Sequence, residues 1–600
     1  MIPATDEKMN IVIAGHVDHG KSTVIGRLLA DTDSLPQGKL QQIQELCRRT
    51  SKPFEYAFLL DALKDEQAQG ITIDSARIFF KSARRHYLIL DAPGHIEFLR
   101  NMVTGASHAE AAVLVIDAAE GVRENSRRHG YMLSMLGIRQ LTVAINKMDL
   151  VDYSRPVFDT IVQEYNRFLS EIALSGSFIP VSGMQGDNIA VASRRMDWYK
   201  GPTVLEALDG FIKEPPPLDK PFRMPVQDVY KFTRAGDTRR IIAGTVETGA
   251  IRPGDEVIFY PSGKKGVIRS LERFATQPPS SYQAAQAAAF TLEEQIYVAR
   301  GQVAVQAKDI GPQVSRRMKV NLFWMGKEPL TPQKEYLFKI GTAKQPGRIE
   351  EILSVMDAAE LNAKDKKDQI DYHNVAECII KTDRAMAFDT ADAIPALSRF
   401  VIVDNYEIRG GGIIRQALPD SQEPLRQQVM RRNLKWALSA VSRERRWERL
   451  SQKACLLLVT GHKNAGKKEL ARAIEKKLFA EGKLVYFMGI ANVLYGVDAD
   501  IKTPGPNQSH RPEHLRRLGE VANLMLDAGI ILIVTAIGLT QEDLEIIRNA
   551  VDSDLIEVLW LGAEPTDIKI DLHIESLENL NETLSQIKRL LQQKGIIFSI

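Results

Sequence analysis

Cysteine is scarce in this 600-residue chain: only Cys47, Cys378 and Cys455 occur, far apart in sequence. They form no CxxC pair, which excludes a disulfide framework and suits a reducing cytosol. The eleven histidines are read as showing no HxxxH or CxxC spacing, so no zinc site is expected. Charge of one sign is also lacking. Lys and Arg number 78 against 76 Asp and Glu, leaving a net charge of +2. No bulk field therefore draws the chain to nucleic acid or to a membrane surface. Long apolar runs are missing as well. "AGIILIVTAIGL" is too short to span a bilayer and reads as a buried strand. The first residues, "MIPATDEKMN", contain no apolar core of a signal peptide, and a cytoplasmic protein is expected.

What is present is ordinary globular composition, with 44% hydrophobic and 26% charged residues. The length exceeds what one core can organise, so several domains are expected. From 9 to 212, apolar runs such as "MNIVIAG", "HYLILDAPG", "AAVLVIDAAEG" and "LTVAINKMD" alternate with amphipathic stretches. Continuous apolar strands ending in polar residues indicate a parallel sheet covered on both faces, with ligands at its carboxyl ends. The proline-rich joint "KEPPPLDKP" follows. Short alternating strands with glycine turns then predict an antiparallel β-barrel over 213–311. Within it, "PPSSYQAAQAAAF" at 278–290 reads as a mobile loop. A second β-rich block, 312–417, predicts another barrel. Residues 418–450 are arginine-rich and predict a linker helix with Trp436 and Trp447 on one face. From 451 to 600 the α/β alternation returns.

The strongest motif is "GHVDHGKST", residues 15–23, which matches GxxxxGK[ST] between a strand and a helix-compatible run. Gly15, His16, Val17, Asp18, His19, Gly20, Lys21, Ser22 and Thr23 form the expected phosphate loop, its backbone N–H groups cradling the phosphates. Lys21 would reach the β- and γ-phosphates and Ser22 would bind Mg²⁺. "DAPGH" places Asp91 near that metal and Gly94 near the γ-phosphate. "GITID" holds Thr72, whose hydroxyl would complete the metal shell only with a triphosphate bound. "NKMD" places Asn146, Lys147 and Asp149 at a strand end, where the carboxylate can accept two N–H bonds from guanine. Singly, "NKMD" or "GITID" also fits a surface turn; their order and placement on strand ends point to a GTP site.

With these motifs the chain resembles the translation-factor GTPases, such as elongation factor Tu. That resemblance implies a GTPase domain followed by two barrels. It also implies a water-positioning role for His95 and a base-pocket role for Ser182 of "PVSGMQGDNI". "YAFLLDALKDEQAQGITIDSA", "DWYKGPTVLEALD" and "FWMGKEPL" are more similar to the large GTPase subunit of heterodimeric sulfate adenylyltransferase. That family usually has a "GSVDDGKST"-like loop, whereas this chain carries His16 and His19. The resemblance implies a small partner subunit that uses ATP and sulfate to make adenylyl sulfate, while this chain hydrolyses GTP and couples that to the transfer. An elongation-type GTPase is the alternative.

The C-terminal unit resembles adenylylsulfate kinase through "KKELARAIEKKLFAEGKLVYF" and "RPEHLRRLGEVANLMLDAGIILIVTAI". Arg511, Arg516 and Arg517 fall where that family keeps substrate-binding arginines. Its loop, "GHKNAGKKEL", keeps Gly461, Gly466 and Lys467, but Lys468 stands where the metal-binding hydroxyl belongs. "MGIANVLYG" replaces the acidic "DGDNVR", "IGL" replaces "ISP", and no basic lid follows "DLIEVLWLGAEP". Metal, base and clamp contribute separately to phosphoryl transfer, so a non-catalytic domain is expected. The alternatives are a working kinase using Asp498 or Asp500, binding without turnover, or a role in higher-order assembly.

Overall fold

The computed structural model describes the chain except residues 1–6, 17, 50–53, 60–76, 92–108, 136, 232–238, 275–276, 295, 358–362, 366–367, 421, 438, 490–491, 502–509, 564–565, 567 and 599–600. It divides into two compact units. One comprises Met1–Pro261, Val267–Glu293 and Val298–Pro419; the other comprises Ser262–Gly266, Glu294–Tyr297 and Asp420–Ile600.

The first unit begins with a six-stranded sheet. Its strands are β1 (Lys8–Gly15), β2 (Arg77–Lys81), β3 (His86–Asp91), β4 (Ala111–Asp117), β5 (Gln140–Asn146) and β6 (Ser177–Pro180), in the order β2-β3-β1-β4-β5-β6. All neighbours are parallel except the edge pair β2–β3. All seven residues of β4 are buried, as a strand covered on both faces must be. Alternation along β1 assigns the two cores. Met9, Ile11 and Ile13 join Val24, Ile25, Leu28 and Leu29 of α1 (Lys21–Asp31). Val12 and Ala14 face the other way, toward Leu133, Phe158, Ile161 and Tyr165. Parallel pairing brings the carboxyl ends of β1, β3, β4 and β5 to one edge, with Ile13 opposite Asp91 and Asp117 opposite Asn146.

Two barrels follow. Met224–Lys231, Arg240–Thr245, Glu256–Tyr260, Lys264–Leu271, Ala287–Leu292 and Val303–Gln306 close the first. The second is built on Gln313–Trp324, Ala343–Asp357 and Asn374–Phe388, and pairing of Tyr336–Ile340 with Ala343–Asp357 closes it. Arg223 of the first barrel and Asp389 of the second form a two-pronged buried ion pair, Nε to Oδ2 at 2.9 Å and Nη2 to Oδ1 at 3.1 Å. "FWMGKEPL" is a structural corner here: Trp324 is buried and its Nε1 donates to the Glu328 carbonyl at 2.8 Å.

Segment 278–290 is not the loop its composition predicts. Tyr282–Gln283 pairs with Ala250–Ile251, and Ala287–Leu292 is a barrel strand that buries Ala288 and Phe290. Small and aromatic residues were packing against the barrel, a tertiary fact that local composition does not carry. The single helix expected over 418–450 is also two. Glu423–Leu434 ends before Trp436, and Arg443–Leu450 restarts at Ser442, whose side chain accepts from the Arg445 amide. That N-cap, a type of start signal serine commonly supplies, means the two tryptophans share no helix.

In the second unit a parallel sheet runs in the order Val485–Met488, Ile531–Thr535, Cys455–Gly461, Ile556–Leu561, Leu572–Ile574. Leu456 and Leu458 pack with Leu515, Leu518 and Leu526 on one face. Cys455, Leu457 and Val459 pack with Leu470, Ile474 and Leu591 on the other.

Candidate functional site

The sequence places a tight turn between β1 and α1, and the backbone shows how. Gly15 (φ 148°), Asp18 (φ 65°) and Gly20 (φ 87°) adopt positive φ. At Gly20 a Cβ would also stand 2.4 Å from the Asn146 amide nitrogen, so only glycine fits. Lys21 folds back over this turn, its Nζ donating to the carbonyls of Gly15 at 2.6 Å and His16 at 2.8 Å. Ser22 and Thr23 follow in the first turn of α1, whose N-terminus faces the loop. His19 is fully buried, and its Nδ1 donates to the Val115 carbonyl at 3.2 Å. Burial is the main reason its pKa lies below the ordinary value, so the ring is neutral.

The base-recognition motif reaches back to this loop. Asn146 Nδ2 donates to the His19 carbonyl at 2.9 Å, and Asn146 Oδ1 accepts from the Gly183 amide at 2.9 Å. Ser182 Oγ donates to Asp149 Oδ1 at 2.6 Å, aligning that carboxylate. Lys147, itself at φ 63°, extends its ammonium to Asp117 Oδ2 at 2.7 Å. Asp117 and Gly183 are thus members of the site that motif reading missed. Asp117 carried a usable signal, since it ends an apolar strand as Asn146 does. Asp91 ends β3 beside β1, which places it at the phosphate edge. Val17, Thr72, Gly94 and His95 lie outside the described residues.

The second loop repeats the first position by position. Gly461 (φ 142°), Asn464 (φ 69°) and Gly466 (φ 88°) match Gly15, Asp18 and Gly20 in order. Lys467 is 7% exposed, and its Nζ donates to the His462 carbonyl, as Lys21 does to His16. Burial holds its pKa below the ordinary lysine value. The next residue, Lys468, is exposed at the helix start.

The three arginines are engaged by carboxylates of their own unit. Arg511 is held by Asp543, Nη2 to Oδ2 at 2.8 Å, and donates to the Ile537 and Gly538 carbonyls at 3.0 and 3.1 Å. Arg516 forks onto Glu513, both contacts at 2.7 Å. Arg517 meets Glu513 at 2.8 Å and Asp500 at 2.9 Å. Hydrogen bonds from Arg516, joined by those from Arg517, push the Glu513 carboxyl down to about 2. Asp498 is buried and accepts from His514 Nδ1 at 2.6 Å. His514 and His510 do stand four residues apart, a spacing found in metal sites, yet among the described residues no group of three ligands could hold a metal ion.

Residues 6–214 match the elongation factor Tu GTP binding domain family, 317–415 the GTP-eEF1A C-terminal domain-like family, and 453–566 the adenylylsulphate kinase family. Among curated proteins, the chain is 33% identical over 568 residues to the bifunctional enzyme NodQ of Rhizobium sp. (strain N33), covering 92% of this chain and 84% of that one. It is 32% identical to the bifunctional enzyme CysN/CysC of Rhodopirellula baltica, covering 93% of this chain and 87% of that one. With sulfate adenylyltransferase subunit 1 of Chromobacterium violaceum it shares 37% identity, over 68% of this chain and 87% of the relative. Among the described residues no helix is long and apolar enough to cross a membrane. The chain therefore belongs to the family of the NodQ and CysN/CysC enzymes and sulfate adenylyltransferase subunit 1, and in this chain a translation-factor-type GTPase domain is followed by an adenylylsulfate-kinase-like domain.

Proposed function

We propose that this chain is the GTP-hydrolysing, coupling subunit of a sulfate adenylyltransferase. A small partner subunit would transfer the adenylyl group of ATP to sulfate, releasing pyrophosphate. The bond from Asn146 to the phosphate loop, which joins phosphate and base recognition in one frame, supports the GTP site, and the 37% identity to sulfate adenylyltransferase subunit 1 carries the assignment to sulfate activation. Lys21 would leave its loop carbonyls for the phosphates. Ser22, Thr72 and Asp91 would hold Mg²⁺, which supplies charge neutralisation at the phosphates. The fit rests on the cradle itself: Gly20 leaves no room for a side chain, and Ser22 stands in the first turn of α1. Asn146 and Asp149, with Ser182, would select guanine. Gly94 would sense the γ-phosphate, and His95 would position the attacking water. Domain boundaries near 212, 311, 417 and 450 suit this division.

Synthesis of adenylyl sulfate is uphill, so coupling needs two states of the GTPase that contact the partner differently. Three buried free cysteines support a cytoplasmic setting. The test is to purify the chain with and without its small partner. GTP hydrolysis should rise with partner, ATP and sulfate; stimulation by ribosomes instead would support the elongation-type alternative.

For the second unit we infer a phosphate-sized loop that binds without turning over. The preserved backbone supports binding, while exposed Lys468 and the carboxylate-locked arginines oppose catalysis. The bifunctional names of its relatives keep an active kinase as the competing reading. Supplying adenylyl sulfate and ATP to the full chain decides between them, since a 3′-phosphorylated product requires an active kinase.

A further inference from the structure

His16 sits where the sulfate adenylyltransferase resemblance predicts serine, and it has partners on two sides. Its carbonyl accepts from Lys21 Nζ at 2.8 Å. Its ring Nδ1 lies 2.8 Å from Asn125 Nδ2. An amide nitrogen can only donate, so His16 Nδ1 is the acceptor. Asn125 Oδ1 in turn accepts from Arg128 Nη1 at 3.3 Å. The same Nη1 stands 3.0 Å from His373 Nδ1 of the second barrel. A guanidinium has no acceptor, so His373 also receives. His373 stacks on Tyr372, ring centroids 3.6 Å apart, and its backbone N–H donates to the Trp324 carbonyl at 2.9 Å.

Asn125 and Arg128 belong to the helix Glu124–Met135, whose Met132 and Met135 pack against Phe323, Met325 and Val375 of that barrel. The polar chain and the apolar contact therefore run along the same helix. Both termini of the chain are meaningful places: one is the loop where Lys21 is latched, the other is the corner built on Trp324.

We propose that His16, Asn125, Arg128 and His373 form a coupling chain that passes the state of the phosphate loop to the second barrel. The idea rests on the GTP-site reading above. When Lys21 leaves the His16 carbonyl for a phosphate, His16 loses that restraint. Asn125 links the two ends, donating to His16 through Nδ2 and accepting from Arg128 through Oδ1, so a shift of the ring is felt at Asn125 and then at Arg128, which Glu124 also holds. His16 and Arg128 act here as positioning residues, since neither need touch the reacting atoms.

The test is a double-mutant cycle on the full chain, read as the release rate of a fluorescent GDP analogue and as the ratio of GTP to GDP affinity. Arg128→Met should change either quantity by about fivefold or more, the lower range of allosteric couplings. Arg128→Lys, which keeps a donor and the charge, should recover most of the loss. In a His16→Ser background, Arg128→Met should have no further effect. His373→Gly serves as the second variant if Arg128→Met does not fold, because glycine suits the φ of 65° found there. Equal effects with and without His16, or no effect at all, overturn the coupling chain alone. Failure of the unaltered chain to bind guanine nucleotide overturns the GTP reading and this inference together.

Discussion

Asn146 and His19, 127 residues apart in sequence, are joined by a buried hydrogen bond from the Asn146 side chain to the His19 carbonyl at 2.9 Å. The other end of the same amide holds the Gly183 N–H at 2.9 Å. One side chain thus fixes the phosphate loop relative to the loop after β6. Its importance lies in burial, because the groups it serves have little water to turn to when it is removed.

Asn146→Ala should therefore weaken GDP binding by about 5- to 150-fold, from the roughly 1–3 kcal/mol cost of an orphaned buried polar group. Fluorescence titration with a labelled GDP measures it. Wild-type affinity in the variant would show that the loop holds its shape unaided.

Asp149→Asn should cost guanine selectivity. A hydrogen bond to a charged group is worth about 1.5–3 kcal/mol, or roughly 10- to 150-fold in preference for GTP over xanthosine or inosine triphosphates. Ser182 already donates to the carboxylate at 2.6 Å, so its geometry is set before any base arrives. Competition binding reads the change, and unchanged preference would remove Asp149 from the base site.

The buried pair Arg223–Asp389 predicts an asymmetry between breaking and replacing it. Asp389→Ala leaves a guanidinium that is 2% exposed without its carboxylate, and should cost about 3–5 kcal/mol. Arg223→Met combined with Asp389→Leu should cost much less, since both charges are gone. Urea unfolding of the full chain, followed at the first unit's transition, compares the two. Equal midpoints for the single and double variants would contradict the account.

Glu557 predicts a pH dependence in the second unit. Burial, then the neighbouring Asp571 carboxylate, pushes its carboxyl from the ordinary 4.5 up to about 7. An acid with a raised pKa in the folded state contributes most below pH 4.5 and loses that contribution as the pH rises to about 7. Glu557→Gln removes the loss, so the variant should melt higher than wild type at pH 8, with the gap closing toward pH 5. Lys594 keeps its contact to Asp571 at 2.9 Å in either case. Calorimetry across that range checks it; a gap independent of pH would refute it.

Much of the fold was legible because its signals are local. Apolar runs predicted β1, β3, β4 and β5, since a strand covered on both faces has no polar side to show. The phosphate loop was legible because positive φ at Gly15 and Gly20 restricts which residues can stand there. Segment 278–290 was not, because alanine and glutamine carry no period that distinguishes a barrel strand from a loop. The break between the Glu423–Leu434 and Arg443–Leu450 helices lay in the capping role of Ser442, which competes with an arginine-rich pattern that otherwise reads as continuous.

The two loops mark the division most sharply. Sequence alone determined that both have the phosphate-loop turn, because backbone conformation there depends on which residues carry no Cβ. It also determined that Lys468 replaces a hydroxyl. Only the tertiary structure decided what surrounds them. Asn146 steadies the first loop from 127 residues away, and Asp543 and Asp500 hold Arg511 and Arg517 of the second unit's Arg511–Asp527 helix. Side-chain pairing of this kind depends on which segments the sheets and helices bring together, and no local pattern records it.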